Sequence, residues 1–171
     1  MIHLLTALLL SGAAHAMELK SPTIAPGATI PNKHVFNGFG CSGGNERPEL
    51  SWTGAPADSK SFAVLVHDPD APTGGAGWWH WVAYDIPAGT SALSSTKLPE
   101  GTVQGPTDFG APGFGGPCPP PGDKPHRYHF TVHALKVAKL ELPPGASASL
   151  IGFMVNANSI AKAELTGIYG R

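Results

Sequence analysis

The sequence predicts a single mainly-β domain with one helix near its C-terminus, and three observations carry that expectation. Ser61–His67, Trp79–Ile86 and His126–Leu135 are apolar or alternating runs of strand length. Glycine (22 residues) and proline (18 residues) are abundant without a repeating triplet, so the connections are turns and shaped loops. The 171 residues suit one core, and no long βαβ alternation argues for a nucleotide-type parallel sheet.

The chain opens on Leu4-Leu5-Thr6-Ala7-Leu8-Leu9-Leu10, a short apolar run followed by Ala14-His15-Ala16. A small-x-small ending before polar residues predicts a signal peptide over 1–16, with cleavage before Met17 and the domain over 17–171. The start lacks Lys and Arg, and no Cys follows the site to take a lipid anchor. The expected location is periplasmic or secreted. Beyond residue 16 no apolar stretch approaches the ~18 residues of a spanning helix.

Export bears on Cys41 and Cys118, the two cysteines of the chain. In an oxidising compartment one disulfide is the natural reading, with two buried free thiols as the alternative. Two cysteines cannot build a zinc site unaided.

The first strand, Ser61–His67, ends at Asp68-Pro69-Asp70-Ala71-Pro72. Two prolines pin the backbone around two carboxylates, and a carboxylate there can orient a neighbouring imidazole; a proline-rich turn is the plainer alternative. The second strand follows Gly77-Trp78 and is stopped by Pro87. Strict alternation puts His80, Val82 and Tyr84 on one face and Trp79 and Trp81 on the other. The loop from Gly110 to Pro125 contains Gly115-Gly116-Pro117-Cys118-Pro119-Pro120-Pro121, long enough to suggest a function. Its glycine pair lets backbone approach a ligand and offers N–H donors to an anion. On the third strand His126 and Tyr128 share a face, with Arg127 opposite. The helix is expected over Ser147–Ala163, with Leu150, Phe153, Met154, Asn158 and Ala161 near one stripe. Glu164–Tyr169 is expected to return as a last strand.

A formal net charge of -1 gives no broad electrostatic footprint for nucleic acid or an anionic membrane surface. Any attraction for an anion must be local. No Gly-x-Ser-x-Gly elbow supplies a nucleophile, and neither a cofactor nor a metal is expected.

Taken in order, Asp68-Pro69-Asp70-x-Pro72, Trp78-x-His80, Gly116-Pro117 and His126-Arg127-Tyr128 resemble the phosphatidylethanolamine-binding protein family, in its bacterial Raf-kinase-inhibitor-like branch. Val35-Phe36-Asn37-Gly38, Pro48-Glu49-Leu50-Ser51-Trp52, Thr107-Asp108-Phe109-Gly110 and Ala163-Glu164-Leu165-Thr166-Gly167 extend the resemblance from about residue 19 to 170. It implies an antiparallel β-sandwich with a large sheet and a small pocket for phosphate-like or carboxylate groups. Carried over, Asp68, Pro72, Trp78, His80, Gly116, His126 and Tyr128 would line that pocket, and a Cys41–Cys118 bridge would brace the Gly-Pro loop at its mouth. Many relatives carry histidines where this chain has Asn156 and Asn158, which would alter ligand choice if that segment closes the pocket.

The expected function is therefore a non-enzymatic binding protein for a small anionic ligand, with a protein partner and a homodimer as further expectations. A protease or kinase inhibitor acting through a surface epitope is the alternative. A hydrolase using His67, Asp68, Asp70, His80 and His126 is a third reading.

Overall fold

Ten strands, one α-helix and a short 3-10 turn of helix (Asn32–His34) make up the regular structure of residues 16–171, the part of the chain that the computed structural model describes. The first strands are short: β1 (Glu18–Lys20), β2 (Asn37–Gly38), β3 (Cys41–Ser42) and β4 (Leu50–Thr53). Then come β5 (Ser61–Asp68), β6 (Trp78–Pro87), β7 (Ala92–Leu93), β8 (Val103–Gln104) and β9 (His126–Leu135). Helix α1 (Ala148–Asn158) and strand β10 (Ser159–Tyr169) end the chain.

The continuous apolar run of β5 is explained by its place at the centre of a five-stranded antiparallel sheet, in the order β10-β9-β5-β6-β8. Both faces of this strand are covered. Phe62, Val64 and Val66 point into the larger core, where Trp81, Tyr128, Phe130 and Val132 join them. Leu19, Leu50, Trp52 and Leu93 close that core from a second sheet, β1-β4-β7, which makes the β-sandwich. Ala63 and Leu65 point the other way, into a smaller core capped by Ile151 and Val155 of α1. A strand buried on both sides has no polar alternation to show.

The helix is shorter than the sequence pattern implies. Ser147 caps it, its hydroxyl accepting from the Leu150 N–H at 3.2 Å, but residues 159–163 belong to β10 and not to α1. β10 pairs with β9 along its length, and Ala161, Ala163 and Leu165 face the larger core at period two. Pairing along a whole strand outweighs local helix propensity. The expected stripe also differs: Ala148, Ile151, Gly152 and Val155 are buried, whereas Leu150 and Phe153 are 36% and 67% exposed.

Val66 pairs with Trp81 and His67 with Trp79, so His80 is an extra residue on β6, a β-bulge. Beyond the bulge the alternation reverses. Trp81 faces the larger core beside Tyr128, while Trp79 lies with Val82 and Tyr84 under the helix. The expectation that His80 shares a face with Val82 and Tyr84 fails for that reason.

Candidate functional site

β5 runs out at Asp68, where the prolines of Asp68-Pro69-Asp70-Ala71-Pro72 forbid a regular ladder. Asp68 is 3% exposed, and its two carboxylate oxygens take different partners. Oδ1 accepts from the Asp70 N–H at 2.8 Å, closing a local turn, and Oδ2 accepts from His126 Nδ1 at 2.7 Å. A carboxylate can only accept, so the His126 proton sits on Nδ1. The other nitrogen, Nε2, stands 3.4 Å from Asp123 Oδ2. Asp70 turns outward to Arg127, taking its backbone N–H, Nε and Nη2 at 2.9, 2.9 and 2.6 Å. Those hydrogen bonds hold the Asp70 carboxyl down to about 2.

The bulge on β6 turns His80 toward β9. Its Nδ1 donates to the Gly115 carbonyl at 2.7 Å, which fixes the tautomer and leaves Nε2 with a lone pair. Burial pushes the imidazole down to about 4, so it is neutral near pH 7. Tyr128 and Phe109 meet the ring edge-on at 5.1 and 5.3 Å. Tyr128 is 1% exposed, and its hydroxyl makes no well-formed hydrogen bond among the described residues, the Asp68 carboxylate being the acceptor near it. Burial first, then the nearby Asp68 carboxylate, raises the phenol above its ordinary range.

These groups surround one cavity of about 290 Å³. Asp68, Pro72, Trp78, His80, His126 and Tyr128 line it, so six of the seven expected pocket residues are brought together. Gly116 is not among the lining residues. Its N–H donates to Asn45 Oδ1 at 2.8 Å, and that of Gly115 to the His80 carbonyl at 2.9 Å, so neither amide is free for an anion. Gly116 is needed for packing instead: a Cβ there would stand 1.9 Å from the His34 carbonyl oxygen.

Phe39, Ala71, Thr73, Phe109, Cys118, Pro119 and Pro120 complete the wall; the sequence reading placed Cys118 at the mouth, through the bridge, and named none of the others as lining residues. Phe109 was legible only as part of a family-like segment. Phe39 carries no signal, because a hairpin brings it to the mouth. Cys41 and Cys118 form a disulfide, which ties that hairpin to the Gly-Pro loop. Among the described residues no Lys or Arg lines the cavity.

Asn156 and Asn158 stand apart from all of this. Their amides donate back to the Gly152 and Met154 carbonyls at 2.8 and 2.9 Å, on a helix that packs against the other face of the large sheet. The C-terminal helix therefore does not close the cavity. The X-Pro bonds of the described residues are all trans.

Among the described residues no cluster of three His, Cys, Asp or Glu side chains is arranged to hold a metal ion. His129 and His133 have the four-residue spacing of a helical zinc pair, but β9 is a strand, where that spacing spans about 13 Å. Among those residues no helix is long and apolar enough to cross a membrane. The leader expected over 1–16 lies, Ala16 apart, outside the described residues.

Comparison with known proteins agrees with this geometry. The YbcL protein of Escherichia coli K12 is 52% identical over 166 residues, covering 93% of this chain and 90% of YbcL. The crystal structure of E. coli YbcL superposes with a TM-score of 0.87 at 51% identity, over 92% of this chain and 99% of that one. E. coli YbhB is 44% identical over 90% of this chain and 99% of its own length. The putative lipoprotein LppC of Mycobacterium tuberculosis H37Rv is 36% identical over 92% of this chain and 74% of its own length. The family profile described as phosphatidylethanolamine-binding protein matches residues 20–170. With the sandwich, the Asp68–His126 pair and the His80–Tyr128 contact in place, the chain belongs to the phosphatidylethanolamine-binding protein family.

Proposed function

We propose that this chain is an exported, non-enzymatic binding protein whose cavity takes one small anionic group, a phosphate or carboxylate, on a larger ligand. The observation that carries this reading is the Tyr128 hydroxyl, buried and unpartnered beside the neutral His80. A buried hydroxyl without a partner costs about 1–3 kcal/mol, which a ligand oxygen accepting from it would relieve. His80 Nε2 can accept a hydrogen bond, so a singly protonated phosphate suits the pair: one oxygen accepts from Tyr128 and its O–H donates to His80. The Asp68 carboxylate, whose field already raises the Tyr128 phenol, opposes a dianion there and so favours the singly protonated group. The name of LppC, a lipoprotein, is in keeping with an envelope location, as is the disulfide.

Without a cationic lining residue the affinity is modest, with a Kd on the order of millimolar for inorganic phosphate. Binding strengthens as the pH falls from 8 toward 6, where phosphomonoesters gain a proton for His80 to accept, their second ionisation lying near pH 6. The test is an NMR titration of the chain from Met17 onward with phosphate and with phosphoethanolamine, beside His80→Ala. Saturable shifts at Asp68, His80 and His126 that vanish in the variant are expected. No shift at tens of millimolar ligand sinks the reading. A protease or kinase inhibitor working through a surface epitope would instead keep its partner in His80→Ala.

A further inference from the structure

Phe39 is held in a backbone conformation that phenylalanine avoids. Strands β2 and β3 pair Gly38 with Cys41, so Phe39-Gly40 is a two-residue hairpin loop. Both loop residues have positive φ, 52° and 82°, the pattern of a type I′ turn, whose first position favours Asn, Asp or Gly. A bulky residue there is strained by about 1–3 kcal/mol. The ring is not compensated by burial, since it is 67% exposed. It sits at the cavity mouth, nearly parallel to Phe109 at 5.9 Å and 14°.

Two ties hold this hairpin. One is the Cys41–Cys118 disulfide. The other is Arg171, which the sequence does not mark. Its guanidinium donates from Nη1 to the Gly40 carbonyl at 2.9 Å, from Nη2 to the Phe39 carbonyl at 3.2 Å, and from Nε to the Pro119 carbonyl at 2.7 Å. Phe39 and Pro119 both line the cavity, so one side chain fixes two parts of the mouth. The planar fork of Arg suits three carbonyls as the Lys ammonium does not.

We propose that the Asn37–Ser42 hairpin is the specificity-determining lip of the pocket, with Phe39 contacting an apolar or aromatic part of the ligand and Arg171 as the positioning residue of the lip. The inference rests on the anion-pocket reading and names the ligand class more narrowly: an anionic head next to an apolar group. Phe39, Phe109, Trp78 and Pro120 supply the apolar surface, and Tyr128 with His80 supplies the polar end.

The probes are inorganic phosphate and phenyl phosphate, titrated against the disulfide-intact protein. Wild type should prefer phenyl phosphate by about tenfold, the worth of one good aromatic contact. Phe39→Gly, which also relieves the positive φ and so should fold, removes that preference, whereas Phe39→Trp keeps it. Arg171→Ala reduces the preference and speeds amide hydrogen exchange at the 38–42 hairpin, and millimolar guanidinium restores both. An unchanged ratio in Phe39→Gly overturns the role of the lip, and unchanged exchange in Arg171→Ala overturns the clasp. If wild type binds neither probe, the anion reading falls and the lip's selectivity with it. The exchange measurement, which needs no ligand, still decides the part assigned to Arg171.

Discussion

His80 and His133 are both held down to about 4 by burial, from an ordinary value of 6.5. Between those values the unfolded chain binds protons that the folded chain excludes, so acid favours unfolding in that window. Stability is therefore fully present above about pH 6.5, falls as the pH drops toward 4, and flattens once both states are protonated. Asp70, held at about 2 by Arg127, adds a separate and smaller loss below its ordinary 3.8. Urea midpoints at pH 7.5, 6 and 5 check the direction, and His133→Gln should flatten the slope. Midpoints that rise on acidification would contradict the neutral state of both imidazoles. Tyr128 makes a second case. Removing its orphaned hydroxyl in Tyr128→Phe should leave stability unchanged or raise it by about 1 kcal/mol while weakening phosphate binding. A variant that loses several kcal/mol in a urea melt would mean that the hydroxyl has a partner in the folded protein.

The bulge at His80 shows how one inserted residue re-aims a strand. It frees an imidazole for the cavity and sends Trp81 into the core, an outcome invisible to period-two reading because no residue type marks a bulge. Helix α1 is shorter than its sequence pattern implies for a related reason. Residues 147–163 lack proline and keep apolar spacing compatible with a helix, but β9 offers a full ladder of hydrogen bonds to residues 159–169. The Gly-Pro loop gives the sharpest contrast between a ligand contact and a packing role. Gly116→Ala drives a methyl into the His34 carbonyl and should cost more than 3 kcal/mol or prevent folding, because backbone on both sides cannot yield. Circular dichroism melts of that variant decide the point: native stability with lost phosphate binding would return Gly116 to the binding surface.

Across the whole molecule, the pocket depends on segments far apart in sequence: β5, β6, β9, the 38–42 hairpin and the Gly-Pro loop. The Cys41–Cys118 bridge joins two of them across a separation of 77 residues. Reducing it should lower stability by roughly 4 kcal/mol on the chain-entropy account. Urea unfolding with and without reductant measures this, and a drop well under 1 kcal/mol would mean that other contacts hold the unfolded loop closed. The loss should leave the sandwich formed, because the large core of β5, β9 and the β1-β4-β7 sheet lies away from the bridge.

From the sequence by itself came the mainly-β class, the three long strands, the family, and Asp68, Pro72, Trp78, His80, His126 and Tyr128 as a group. Those features reside in short local patterns: apolar runs of strand length, proline stops, and motifs within a few residues of one another. Tertiary structure alone decided that His80 is a bulge residue, that Gly116 packs against the His34 carbonyl outside the cavity wall, that α1 lies on the far face from the cavity, and that Phe39 lines it while Arg171 holds the Phe39, Gly40 and Pro119 carbonyls. Each of these depends on which backbone comes close to which across long sequence separations. Spacing along a chain does not encode that, because distance in space is set by register and packing and not by residue number.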